Sequence, residues 1–422
     1  MKSKSRLCAV VDGYSTGRFL PLEFQKYGID CVHIQTTKDI PQYLKPSFHP
    51  RNFIDNIIHE GDVEKTLLKL SKYNIDFVIS GCDLGVELAD NLSEKLGLPS
   101  NGTEYSKARR DKFEMGEAVR DFGVRAVNQI KSANLEEILS WVKKLGKWPV
   151  VLKPISSAGS DNVIFCDREE DVISAFDRII GSNNFYEIKN TELLAQEFLF
   201  GTEYIVNTVS LEGEHYICEI SRCQKREIPG YSKIFDSIQT LPFDGPVQKE
   251  LSNYIKEVLN ALRIQFGACH SEVMMTNDEP VLVEANARLA GASIPTVVSQ
   301  GTQFNQVELT VKSYVDPDNF RFLINKPLSL QKNILTVFLI SEVEGKINSV
   351  SQFDKIRKLP SFCDMHLSIK KDGLIKKTVD VSSCPGYIFL VNENPEIIEQ
   401  DYQTIRELEK NGLYDVAQVI NV

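Results

Sequence analysis

Two short runs, 269–275 (CHSEVMM) and 281–286 (VLVEAN), constrain this chain more than any other feature. Joined by the turn-rich Thr276-Asn277-Asp278-Glu279-Pro280, they read as an antiparallel β-ribbon. Pairing Met275 with Val281 sets Glu272 opposite Glu284 and His270 opposite Asn286, all on one face, because strand side chains alternate with period two. The other face, Cys269, Ser271, Val273, Met275, Val281, Val283 and Ala285, is mostly apolar and suits a core. Facing carboxylates repel, so a sheet gains no stability from them. A hard divalent cation reverses that sign. Carboxylate and amide oxygens form the donor set magnesium accepts while keeping water and phosphate ligands, with manganese as a substitute. A solvated acidic face is the alternative, against which Arg288, Gly291 and the apolar segment after them argue for a cleft. Arg288, two residues past Asn286, is expected on the same side, either neutralising a transferring phosphoryl group or paired with Glu284.

A second run, Val150-Val151-Leu152-Lys153-Pro154, leads into Ile155-Ser156-Ser157-Ala158-Gly159-Ser160. Small residues let backbone N–H groups close on phosphates, and Lys153 adds a point charge. The loop leads into another strand, not a helix, and lacks GxxxxGK[ST], which excludes a P-loop NTPase. A third run, Gln196-Glu197-Phe198-Leu199-Phe200-Gly201-Thr202-Glu203, reads as a strand, a glycine joint and a new strand. Such a joint can offer backbone groups to an adenine edge between apolar walls, with Glu203 accepting from a ribose; exposed strand-edge carboxylates are the alternative for Glu197 and Glu203.

Residues 7–100 alternate strand and helix, which predicts a parallel sheet with crossover helices and ligands at the carboxyl ends of its strands, near 13–17 and 81–87. A smaller α/β unit follows, then β-hairpins, then short strands with turns over the last hundred residues. With 48 Lys and Arg against 58 Asp and Glu, and no basic run, a nucleic-acid partner is not expected. The apolar stretch at 7–11 is a first strand, not a leader, and no segment is long enough for a membrane helix. Nine cysteines without CxxC pairs point to reduced thiols in a cytoplasm.

These pieces in this order resemble the ATP-grasp superfamily, most of all Glu284-Ala-Asn286-Ala-Arg288-Leu-Ala-Gly291. The stretches 81–90 and 96–101 look like its L-amino-acid ligase branch. The resemblance implies an α/β fold, α+β in its C-terminal half, with four parts: an N-terminal α/β domain over 1–105, a linker helix and small lid over 106–200, a large antiparallel domain with the metal site over 201–318, and a strand-rich extension over 319–422. It further implies ATP bound by Lys112, Lys153, the loop Ser156, Ser157, Ala158, Gly159 and Ser160, the hinge Gln196, Glu197, Phe198 and Leu199, and Glu203. Magnesium would be held by Glu272, Glu284 and Asn286, with Arg288 as the transition-state arginine. The activity implied is joining two amino acids through an acyl phosphate, in a cytoplasmic protein for which a homodimer is one possible assembly. Substrate contacts are expected from Glu87, His270, Gly291 and Arg222 within 222–232. A ligase activating bicarbonate or formate, and a non-catalytic ATP-binding regulator, are the rival readings.

Overall fold

The computed structural model describes residues 6–157, 161–227, 233–277, 279–291, 295–324 and 329–417. Its first unit is a parallel sheet in the order Asp55–Ile58, Asp30–Gln35, Leu7–Val11, Ile75–Ser80. Leu7–Val11 is buried along its whole length, which is why it reads as a continuous apolar run rather than an alternating one. Helix Val86–Lys95 covers one face by burying Leu88, Ala89 and Leu92.

The lid is an antiparallel sheet in the order Gln129–Ser132, Leu193–Glu197, Val150–Pro154, Ile164–Cys166. Helices Leu135–Leu145 and Glu169–Ile179 close one core over it, with Ile138, Val142, Val172, Ala175 and Ile179 facing the strands. The first of these helices is capped by the Asn134 side chain, which accepts from Glu136 N, and ends at Gly146 in the left-handed region (φ 64).

The third sheet has eight strands: Pro280–Asn286, Gly267–Met275, Thr202–Leu211, Glu214–Glu227, Lys233–Thr240, Asn333–Phe338, Gly386–Asn392 and Phe362–Leu367. Helix Pro246–Ala261 presents Leu251, Tyr254, Ile255, Val258 and Leu259, the i, i+3, i+4, i+7, i+8 stripe, to the end of this sheet that holds Gly267–Met275 and Pro280–Asn286. Of the strands after residue 319, Asn333–Phe338, Gly386–Asn392 and Phe362–Leu367 continue the large sheet, while Leu374–Ile375, Gly345–Ser349 and Asp415–Ala417 form a separate three-stranded one among the described residues. Arg109 locks the linker to its neighbours: fully buried, it donates to Asp90 Oδ2 (Nε 3.1 Å, Nη2 2.9 Å) and to the Leu262 carbonyl (2.9 Å). All nine cysteines are free, and no helix among the described residues is long and apolar enough to cross a membrane.

Candidate active site

The central ribbon pairs Gly267–Met275 with Pro280–Asn286. At the turn the register differs from expectation: Met275 meets Pro280, Met274 meets Val281 and Val273 meets Leu282. A bulge between Val273 and Glu272 then restores Glu272 opposite Glu284 and His270 opposite Asn286. Because one extra residue turns every later side chain over, Leu282 takes the core position beneath the helix, and Val283, expected there, is half-buried on a cavity wall beside Glu284.

The cavity is about 700 Å³. Val151, Phe165, Phe198 and Met274 line its apolar part, and Lys112, Lys153, Glu203, Glu272 and Glu284 its polar part. Gly201 sits on the rim where strand Thr202–Leu211 begins; a Cβ there would lie 2.0 Å from the Met275 carbonyl oxygen, so the joint between lid and large sheet needs glycine.

Three lysines converge on the polar end. Lys112 opens helix Lys112–Asp121, whose N-cap Asp111 accepts from Phe113 N and Glu114 N. Its Nζ donates to Glu284 Oε1 (2.7 Å) and to the Ser157 carbonyl (2.8 Å). Lys153 is buried in strand Val150–Pro154, and burial together with the nearby Lys112 charge lowers its amine to about 8. Lys225, inside the 222–232 stretch expected to contact the amino acids, instead donates to Glu203 Oε2 at 2.6 Å; burial disfavours its charge, but Glu203 and Glu272 hold it above the usual lysine value. The other Glu203 oxygen, Oε1, is buried with no hydrogen-bond partner among the described residues, in a side chain that lines the cavity.

Glu272 is kept ionised. Burial raises its pKa, but the His270 ring (Nε2 3.6 Å away), Lys225 and Lys112 bring it down to about 2. His270 is held in turn by Asn207 Oδ1 (2.8 Å). Asn286 turns its side-chain amide toward both Glu284 Oε1 (3.1 Å) and Asp83 Oδ1 (3.2 Å), donating to each. Rotated by half a turn, the same amide would add its oxygen to those two. No group of three or more His, Cys, Asp or Glu forms a cage among the described residues. Two carboxylates and an amide oxygen fit an ion that keeps water and phosphate oxygens, as magnesium does.

The remaining expected residues divide. Ser156 Oγ accepts from Arg110 Nη2 (3.2 Å) and Ser157 Oγ donates to Asp161 Oδ2 (2.7 Å), both at the cavity end of the lid strand; Ala158, Gly159 and Ser160 lie outside the described residues. Gln196, Glu197, Phe198 and Leu199 border the cavity. The Glu197 carboxylate, however, faces the linker, accepting from Arg125 Nη2 (2.9 Å) and Asn128 N (2.9 Å). Glu87 is not brought to the site: it is exposed on the first turn of its helix, because that helix buries its neighbours Leu88 and Ala89. Arg222 is exposed at the cavity rim, bonded to Gln239 Oε1, and 228–232 lie outside the described residues. Gly291 is exposed, across from Ser15.

Arg288 pairs with Asp83 (Nε–Oδ1 3.0 Å), not with Glu284. Burial raises the Asp83 carboxyl, yet Arg288 and Arg110 hold it at about 2. Tyr186 donates its hydroxyl to the other oxygen, Oδ2 (3.0 Å), and Arg110 lies 5.3 Å over the Tyr186 ring. The 81–87 loop signalled this corner and Asp83 lies inside it, but no spacing pointed to Arg110 or Tyr186.

A ribbon carrying two acidic side chains, three lysines and a glycine joint between a small lid and a large antiparallel sheet defines an ATP-dependent ligase. Residues 146–296 match the ATP-grasp domain family. Dapdiamide A synthase of Enterobacter agglomerans is 31% identical over 98% of this chain and 99% of its own length. An L-arginine-specific L-amino acid ligase of Bacillus subtilis is 23% identical over 81% of this chain and 82% of its own. The crystal structure of an L-amino acid ligase from Bacillus licheniformis superposes with a TM-score of 0.75 at 15% identity, covering 96% of this chain and 98% of that one. The chain belongs to the ATP-grasp family, in its L-amino-acid ligase branch, and is a ligase forming a C–N bond between small molecules.

Proposed function

We propose that this chain joins two L-amino acids into a dipeptide, converting ATP to ADP and phosphate through an acyl phosphate. The observation that carries this reading is the pairing of Glu272 with Glu284 across the ribbon, at the end of the cavity where Lys112 and Lys153 gather. In it, the adenine lies between Val151, Phe165, Phe198 and Met274, beside the hinge 196–199, and the ribose hydroxyls reach Glu203 Oε1. Lys112, Lys153 and the loop from Ser156 to Ser160 hold the phosphates. Glu272, Glu284 and Asn286 would hold magnesium, which when bound would supply positive charge to the triphosphate and draw electron density from the γ-phosphorus.

The acid's carboxylate oxygen attacks the γ-phosphorus, the bond to the β-phosphate oxygen breaks, and ADP leaves. Arg288, presented beside Asn286, neutralises the transferring group. The amine of the second substrate then attacks the acyl carbon; the carbon–oxygen bond to phosphate breaks, and the amine's proton passes to solvent. A substrate carboxylate serves as its own nucleophile, so no Ser/His or Cys/His arrangement is required. The corner where Arg110 and Arg288 flank Asp83 adjoins the metal end and pairs fixed charges of both signs, as amino-acid recognition requires. Such a reaction draws on cytoplasmic ATP. The test is phosphate release with ATP, magnesium and each pair of the twenty amino acids, with products weighed by mass spectrometry. One or a few pairs should give a dipeptide mass with stoichiometric ADP; release driven by bicarbonate or formate alone would refute the reading.

A further inference from the structure

Three consecutive residues, Asn184, Phe185 and Tyr186, leave the lid between helix Glu169–Ile179 and strand Leu193–Glu197 and tie together parts of the molecule far apart in sequence. Asn184 Nδ2 donates to the Ser156 carbonyl (2.6 Å). Phe185 N donates to Asp161 Oδ2 (2.8 Å) and Ser157 Oγ (3.3 Å), so both flanks of the phosphate loop are held by this segment. Asn184 Oδ1 accepts from Tyr186 N (2.9 Å) and Ile188 N (3.1 Å), fixing the turn that sends Tyr186 outward. There the Phe185 ring meets Tyr43 of the N-terminal domain (centroids 3.9 Å apart), and the buried Tyr186 donates to Asp83 Oδ2. The opposite oxygen of that carboxylate accepts from Arg288 Nε.

We propose that Tyr186 is a positioning residue for the ligase reaction: through Asp83 it aligns Arg288 only when the lid, held through Ser156, Ser157 and Asp161, is seated. The chain of contacts runs from Ser156 and Ser157 in the lid, through the strap 184–186, to Asp83 in the N-terminal domain and Arg288 in the large domain. Each link is a short contact between groups largely withheld from water, so displacement of one end is felt at the other. Seating the lid and placing the arginine are thereby one event, which keeps phosphoryl transfer from starting in an open site where water would destroy the acyl phosphate. This rests on the ligase assignment and on the cavity being the ATP site.

The test uses the full chain carrying Tyr186→Phe, which keeps the ring under Arg110 and removes only the hydroxyl. A hydroxyl bond to a buried carboxylate is of a size that changes an equilibrium about tenfold or more when removed. Phosphate released per dipeptide formed should rise at least about threefold, and the apparent KM for the acid substrate about tenfold, with the nucleotide Kd, measured without acid, within about twofold of wild type. Asp83→Asn reads the same contact from its other side. Because Tyr186→Phe removes a contact that Asp83→Asn also weakens along with the Arg288 pair, the double variant should be no worse than the more affected single one. An unchanged phosphate-to-dipeptide ratio in Tyr186→Phe, a nucleotide Kd that weakens as much as turnover, or multiplying effects in the double variant would overturn the proposal. Wild-type protein that releases phosphate with an acid yet makes no dipeptide would count against the amino-acid reading instead; the strap is then read from the KM for that acid and the nucleotide Kd.

Discussion

Lys112 Nζ lies 2.7 Å from Glu284 Oε1, so the carboxylate proposed for the metal also carries a lysine ammonium. An entering cation has to displace that charge, whereas ATP gives Lys112 phosphates to bind and gives the ion further oxygens. Manganese alone should therefore bind weakly and tighten with nucleotide. Lys112→Ala should bind manganese without nucleotide about tenfold more tightly, a difference of about 1.4 kcal/mol. Free manganese counted by electron paramagnetic resonance checks this; equal affinities would show that Lys112 does not guard the site.

Glu203 Oε1 is buried with no partner among the described residues while its sister oxygen holds Lys225, and in the proposed function a ribose hydroxyl would supply the missing donor. Wild type should prefer ATP over deoxyribo-ATP analogues by about 1.5 to 3 kcal/mol, the range for hydrogen bonds to charged groups. Glu203→Ala should lose that preference along with overall affinity. Competition binding with 2′- and 3′-deoxy nucleotides decides it, and a preference that survives the substitution would remove Glu203 from the ribose.

In the proposed function the Lys153 amine, lowered to about 8 by burial and by Lys112, would tie ATP binding to pH. Phosphates favour the charged amine, so binding takes up a proton above pH 8, and the nucleotide Kd should rise with pH there by up to a decade per unit. The folded value lies below the ordinary 10.5, so between pH 8 and 10.5 the unfolded chain binds more protons; this group's unfavourable contribution is full below 8 and fades across that window. Lys153→Met should then stabilise the nucleotide-free protein at pH 7 by on the order of 3 kcal/mol while abolishing ATP binding. Calorimetric titration and urea unfolding are the two measurements.

Gly201→Ala would push a methyl group onto the Met275 carbonyl at 2.0 Å. The joint must shift, at a cost of about 1 to 3 kcal/mol, and the hinge moves with it. Urea unfolding should show the loss, and nucleotide affinity should fall; full stability and affinity together would mean the joint has slack.

The facing glutamates were legible because period-two alternation is a local rule, and their pairing survived an unforeseen bulge. Val283 was misplaced for the same reason: one inserted residue is invisible in composition but turns over every side chain beyond it. Glu197 reads as a hinge acid until Arg125 and Asn128 are seen to claim its carboxylate from 72 and 69 residues away. Glu87 and Asp83 occupy one loop-to-helix segment, and only the helix's buried face decides that Asp83 turns inward and Glu87 outward. Tyr186 meets Asp83 across 103 residues, a contact that tertiary packing alone creates. The joining of the last strands to the large sheet is of the same kind: Lys233–Thr240 pairs with Asn333–Phe338 across nearly a hundred intervening residues.

Oxygen tracing tests the acyl phosphate most directly. With a productive pair of amino acids, the acid is supplied with both carboxylate oxygens as 18O, and the released phosphate and peptide are weighed. Attack by the carboxylate on the γ-phosphorus puts one 18O in inorganic phosphate and leaves the other in the new peptide carbonyl. Unlabelled phosphate, or AMP and pyrophosphate in place of ADP, would contradict the mechanism built on Glu272, Glu284 and Arg288.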